Sequence, residues 1–137
     1  ATSAVYKDFA HSPSKLKATS AAMKKQFSDR KLVACIELHT FSSLNKEFLQ
    51  QYEHCMNEPD TAIVYFNPAN IANKKLEPIT EEQVNAAFNR KNLMVFTDSQ
   101  KLKDYLQSLD WKHKNLLMMS SGNFDGINFE KIIEGYL

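Results

Sequence analysis

The chain has 137 residues, long enough to bury a core as one compact unit without a disulfide or metal staple. Its 17 basic and 16 acidic residues leave a net charge of +1 spread along the whole length, which offers no electrostatic footprint for nucleic acid or an anionic membrane. No apolar run approaches the roughly 20 residues of a transmembrane helix and no signal-peptide layout opens the chain, so a soluble domain is expected.

Val5, Tyr6 and Phe9 read as a short first strand, leading into Asp8-Phe9-Ala10-His11-Ser12-Pro13. Ser12 is placed as an N-cap and Pro13 at the first helical position, where its missing N–H costs nothing. Asp8 and His11 then sit at the C-terminal end of a strand, facing the start of a helix. Ligands bind there in open α/β sheets; the plainer alternative is that both side chains only tie down a βα turn. The chain starts at Ala1 with no initiator methionine, and its first strand begins almost at once, which suggests a part of something longer.

Leu16, Met23 and Phe27 recur at helical spacing from Pro13 to about Ser28, with lysines on the other face read as solvated surface. Leu32-Val33-Ala34-Cys35-Ile36 is a continuous apolar run, expected of a strand buried on both faces. It runs into the polar and aromatic loop Glu37-Leu38-His39-Thr40-Phe41-Ser42-Ser43. Leu44, Phe48, Tyr52 and Met56 predict an amphipathic helix ending before Pro59, and Thr61 to Phe66 a third strand. Cys35 and Cys55, with no C-x-x-C, read as reduced thiols of a cytoplasmic protein.

From Asn67-Pro68 to Ile79 no period is evident, which makes this the longest expected loop. Thr80-Glu81-Glu82-Gln83 is a capping box opening a short helix. Leu93 to Phe96 forms a fourth strand. Asp98 caps a helix carrying Leu102, Tyr105, Leu106 and Leu109, with Trp111 packing over its end. Leu116 to Met119 is the fifth strand, followed by Ser120-Ser121-Gly122-Asn123-Phe124-Asp125-Gly126 and a last helix capped by Asn128. Five strands alternating with helices imply an α/β fold: a twisted, largely parallel sheet covered by helices on both faces, with the loops after the first, second and fifth strands opening on one edge.

Several chemistries are set aside. There is no G-x-x-x-x-G-K-[ST] phosphate loop and no G-x-G-x-x-G, so tight nucleotide binding by this chain alone is not expected. The histidines at 11, 39, 54 and 113 lack zinc-site spacing, and no metal site is assigned. Ser120-Ser121-Gly122 is not a G-x-S-x-G elbow, so a hydrolase is discounted.

Val5-Tyr6-Lys7-Asp8-Phe9-Ala10-His11-Ser12-Pro13, with Leu16 and Ala18-Thr19 after it, resembles the motif that opens the C-terminal domain of Mur ligases. Leu32 to Ile36 running into Glu37 to Ser42 resembles that family's second strand and substrate loop. Met118 to Gly126 resembles a Met-Ser-Asn-Gly-Gly-Phe segment of its murein peptide ligases, the members most similar to this chain, with the muramate–alanine ligases next. The three matches fall in order over nearly the whole length.

This resemblance implies a Rossmann-like three-layer sandwich, residues 1–137 being one substrate-binding domain of a longer ATP-dependent ligase. Such an enzyme joins a peptide of the L-Ala-γ-D-Glu-meso-diaminopimelate type to UDP-N-acetylmuramate, in recycling or synthesis of peptidoglycan. ATP and magnesium would be held mainly by a separate central domain, with none bound by this chain alone, and the isolated domain would be inactive. Asp8 and His11 would lie near the nucleotide. The peptide would meet Glu37, His39, Thr40 and Ser42 in one loop, and Ser120, Ser121, Gly122 and Asn123 in the other. Arginines of the family's second loop are missing here, where His39-Thr40-Phe41-Ser42-Ser43 stands, and an arginine fork is the natural partner of a carboxylate. Lys74 or Lys75 is an alternative charge. Family members include an antiparallel strand, and periodicity does not give strand order. The competing reading is a non-catalytic α/β ligand-binding or interaction module sharing only the architecture, with a regulatory domain of a larger enzyme a third.

Overall fold

Five strands, β1 (Ala4–Asp8), β2 (Lys31–Glu37), β3 (Thr61–Tyr65), β4 (Met94–Phe96) and β5 (Lys114–Met119), form one sheet in the computed structural model, which describes residues 2–137. The order is β1-β5-β2-β3-β4, and all four pairings are parallel. Helices α1 (Pro13–Gln26), α2 (Pro68–Asn73), α3 (Glu81–Phe88), α4 (Ser99–Gln107) and α5 (Phe129–Ile132) cover it.

Because successive strand residues point to opposite faces, a strand apolar throughout must feed two cores. In β2, Leu32, Ala34 and Ile36 join Leu16 and Met23 of α1, Ile71 of α2 and Val84 and Phe88 of α3. Val33 and Cys35 join Leu102 and Leu106 of α4 and Phe129 of α5 on the other face. β5 divides likewise, Leu117 and Met119 going one way and Leu116 and Met118 the other. Each fully buried aliphatic side chain contributes about 1.5–3 kcal/mol. The chain therefore runs β1, β2, β3, β4 with its connections on one face, then returns over the other face through α4 to insert β5 between β1 and β2. Right-handed crossovers require that change of face when the direction reverses.

Local signals hold where they rest on side-chain chemistry. Thr80 Oγ1 accepts from Gln83 N at 3.1 Å and Gln83 Oε1 from Thr80 N at 2.9 Å, closing the capping box. Asp98 and Asn128 accept from Gln100 N and Lys131 N, as N-caps do. Buried Trp111 donates from Nε1 to Leu106 O at 2.8 Å, over the end of α4. Ser12 has the extended N-cap backbone but makes no capping bond with its side chain.

Two expectations are corrected. The helix drawn through Leu44, Phe48, Tyr52 and Met56 is a 3-10 turn at Phe48–Tyr52 among irregular turns. Asn45 Oδ1 accepts from Glu47 N at 2.9 Å, Glu53 leaves helical geometry at ψ 126°, and His54 is left-handed at φ 64°. Leu44, Tyr52 and Met56 are nonetheless buried, and Phe48 is half-buried against the same core, so the period marks an inward face without an α-helix behind it. The loop expected at residues 67–79 contains α2, started by Pro68 and capped by Asn67 Oδ1 accepting from Ala69 N. Both cysteines are free and buried, and no helix among the described residues is long and apolar enough to cross a membrane.

Candidate functional site

The strand order brings three strand ends side by side. Asp8 of β1 pairs with Met119 of β5, and Met119 with Ile36 of β2, so the three segments anticipated as one edge leave the sheet together. Ser120 N donates to Asp8 O at 3.1 Å, tying the first of them to the last.

Asp8 Oδ1 accepts from Ala10 N at 2.7 Å, an Asx turn that reverses the chain toward α1. His11 Nδ1 lies 2.8 Å from Phe9 O, and a carbonyl only accepts, so Nδ1 carries a proton and donates to it. Tyr52 Oη donates to His11 O at 2.7 Å. Both side chains thus perform the plain turn-forming role. Asp8 remains exposed, and its Oδ2 makes no protein hydrogen bond among the described residues.

Glu37 ends β2 at 1% exposure. Its Oε1 accepts from Ser120 Oγ at 2.6 Å and from Phe124 N at 2.9 Å, while Ser120 Oγ accepts from Gly122 N at 2.7 Å. One buried carboxylate therefore gathers the loop between β5 and α5. Gly122 is needed by space: a Cβ there would stand 3.0 Å from Glu37 Oε1 and 3.0 Å from His39 Cδ2. Past it, Phe124, Asp125 and Gly126 are all left-handed, with φ of 53°, 54° and 84°. For the two non-glycine residues this costs about 1–2 kcal/mol each, so the surroundings must impose it.

These segments enclose a cleft of about 430 Å³ lined by Asp8, Phe9, Met118, Ser120, Gly122 and Phe124, with Asn123, Gly126 to Glu130 and Lys7 completing it. Its lining is mixed: Phe9, Met118, Phe124, Ile127 and Phe129 supply apolar surface, and Asp8, Ser120, Asn123 and Asn128 polar groups, with the Lys7–Glu130 ion pair at 3.0 Å, both partners well exposed. Phe9 is 81% exposed. Apolar surface with convergent polar groups is the usual character of a small-molecule site.

Of the residues expected at the site, Asp8, Ser120, Gly122 and Asn123 line this cleft, and Glu37 lies behind them. His39 packs on Gly122 with its Nδ1 buried and without a hydrogen-bond partner among the described residues. Thr40 is occupied in a turn, its N donating to Ser43 Oγ at 3.0 Å and its Oγ1 accepting from Ser43 N at 3.1 Å. His11, Thr40, Ser42 and Ser121 are outside the lining, Ser42 bordering a separate shallow depression. Lys74 Nζ sits 5.6 Å from the ring centroid of Phe41, itself 61% exposed, so this lysine accompanies the loop after β2.

Lys7, Phe9, Met118 and the residues from Gly126 to Glu130 were not anticipated in the lining; Phe9 reads from the sequence as part of the first strand, but β1 ends at Asp8 and leaves its ring exposed. Burial pushes the hydroxyls of Tyr52 and Tyr65 up, at Tyr65 with a further push from its bond to Asp125. Among the described residues no three His, Cys, Asp or Glu side chains stand close enough together to hold a metal ion.

No family model matches the chain. Over 61 residues it is 38% identical to the UDP-N-acetylmuramate–L-alanine ligase of Lactobacillus helveticus (strain DPC 4571), covering 44% of this chain and 14% of that protein. Over 126 residues it is 28% identical to the enzyme of the same name from Persephonella marina (strain DSM 14350 / EX-H1), covering 87% of this chain and 26% of that one. The murein peptide ligase of Psychrobacter arcticus 273-4 has the same fold, with a TM-score of 0.71 at 21% identity over 96% of this chain and 27% of that structure. The resemblance is to the Mur ligases. The chain spans only 14% to 26% of the length of these curated relatives. In this Mur-ligase-like sheet, the cleft at Asp8 and Ser120 is where loops, charge and open apolar surface coincide.

Proposed function

We propose that the chain is the C-terminal, substrate-handling domain of a Mur ligase that joins UDP-N-acetylmuramate to an amino acid or peptide, the murein tripeptide being the favoured partner. The observation that carries this reading is the convergence of the β1, β5 and β2 ends on one cleft, because it gathers the three sequence segments that resemble the family. The cleft takes the incoming peptide, with Ser120, Gly122 and Asn123 on its wall and Glu37 behind them. Asp8 lies on the cleft wall and His11 outside its lining, both assigned to the nucleotide side. ATP and magnesium belong mainly to a central domain in cis, which supplies the activated carboxyl group; the separated domain is inactive, and the enzyme is cytoplasmic. This domain's share of such chemistry is positioning and the exclusion of water.

The test is made in the longer protein that carries this chain. Asp8→Ala or His11→Ala is expected to lower ATP-dependent ligation of L-Ala-γ-D-Glu-meso-diaminopimelate to UDP-N-acetylmuramate at least about a hundredfold, the scale of a misplaced positioning group. Wild-type turnover in both variants overturns the site assignment. The turn-forming bonds of Asp8 and His11 favour a second reading, an α/β ligand-binding module that shares only the architecture. It predicts a reading frame with no phosphate-loop domain upstream.

A further inference from the structure

Asp125 is flanked by two residues of the cleft wall, Phe124 and Gly126, yet its own side chain is engaged elsewhere. Tyr65 Oη, at the end of β3, donates to Asp125 Oδ2, and Asn67 Nδ2 donates to the same oxygen at 3.2 Å. Tyr65 meets the loop a second time through its ring, stacked at 6.2 Å and 23° on Phe124, which in turn meets Phe129 edge-on at 5.2 Å. Neither Tyr65 nor Asn67 lines the cleft.

We propose that Tyr65, assisted by Asn67, is a positioning residue for the cleft: it holds Asp125 and thereby the left-handed Phe124–Gly126 wall. The need for such a hold follows from the backbone. Two consecutive non-glycine residues in the left-handed region relax unless something outside the turn restrains them. Glu37 restrains the turn at Phe124 N, on its incoming side. The carboxylate of Asp125 is the only bonded side chain within the run, and Tyr65 and Asn67 are its partners. Two neighbouring strands therefore grip the loop from different directions, β2 through Glu37 and β3 through Tyr65. The inference rests on the reading of the cleft as the peptide site, and its test separates the two.

Tyr65→Phe keeps the buried ring and its stacking and removes only the hydroxyl, so the sheet is retained. Asp125→Asn keeps an oxygen that can accept from Tyr65, whereas Asp125→Ala does not. Backbone amide exchange and ¹⁵N relaxation are measured on this chain. Tyr65→Phe and Asp125→Ala are expected to speed exchange roughly tenfold at the hydrogen-bonded amides of Phe124, Gly126 and Ile127 while residues 115–119 of β5 stay as in wild type, with Asp125→Asn close to wild type. An unchanged loop in Tyr65→Phe, or loosening that extends through β5, overturns the positioning role. In the full-length ligase, Tyr65→Phe is expected to raise KM for the murein tripeptide several-fold and leave KM for ATP unaltered. A loosened loop with unchanged peptide KM upholds the positioning role and overturns the peptide assignment of the cleft.

Discussion

Glu37 uses its buried carboxylate to accept from two donors that no other group serves among the described residues, Ser120 Oγ and Phe124 N. Removing it strands both in a site with little access to water, and an unsatisfied buried donor costs about 1–3 kcal/mol. Glu37→Ala is therefore expected to lower stability by at least that amount in urea denaturation, while Glu37→Gln, which keeps an accepting oxygen, loses less. Equal loss in both variants would mean that charge and not hydrogen bonding holds the loop. The position of Glu37 was readable because it follows an apolar run that had to be a strand. Its role was not: the sequence offered a polar residue at a loop start, and only the pairing of β2 with β5 turns that residue toward Ser120. Tyr65 was hidden more completely, as an apolar-looking strand residue whose partner Asp125 stands sixty positions away.

Among the elements, α3 shows what local chemistry can secure. Its capping box is complete within four residues, and so could be read directly from Thr80 and Gln83. Thr80→Ala removes the acceptor for Gln83 N and should cost about 1 kcal/mol; thermal melting that leaves the midpoint unmoved would show that the packing of Val84 and Phe88 carries α3 unaided. The segment from Leu44 to Met56 makes the opposite case. Its spacing of four reported which side chains turn inward, and Leu44, Tyr52 and Met56 are buried with Phe48 half-buried beside them, but inward-facing residues can ride on turns as well as on a helix. Hydrogen bonding by Asn45 and the left-handed His54 decided the backbone there, and neither leaves a periodic trace. At α2 the short Asn67-Pro68 start was present in the sequence, but six residues carry too little period to stand out.

At the scale of the whole molecule, Asp60 joins elements that are distant in the chain: it accepts from Leu32 N at 2.7 Å in β2 and pairs with Lys24 in α1, just before β3 begins. Burial alone would raise its pKa, but the Lys24 ammonium and the Leu32 N–H outweigh burial and hold it below the ordinary carboxylate range. A carboxyl lowered in the folded state adds stability above its unfolded pKa of about 4 and loses it as pH falls through the folded value. Urea midpoints of wild type and Asp60→Asn should therefore differ at pH 6 and converge as pH falls through the lowered folded pKa of Asp60; a gap that persists once the carboxyl is protonated would assign the effect to packing. The α/β class and the shared loop edge were legible because apolar strands alternating with helices admit few arrangements. Strand order was not, since it depends on where the last strand goes. That placement has a kinetic side. β1 is hydrogen-bonded within the sheet to β5 alone, Val5 facing Leu116 across most of the chain length. During synthesis β1 emerges long before its partner β5, and pairings of such long sequence separation form slowly. Asp8 and Ser120 therefore meet only after β5 has been made, and a nascent chain halted before β5 lacks one side of the cleft.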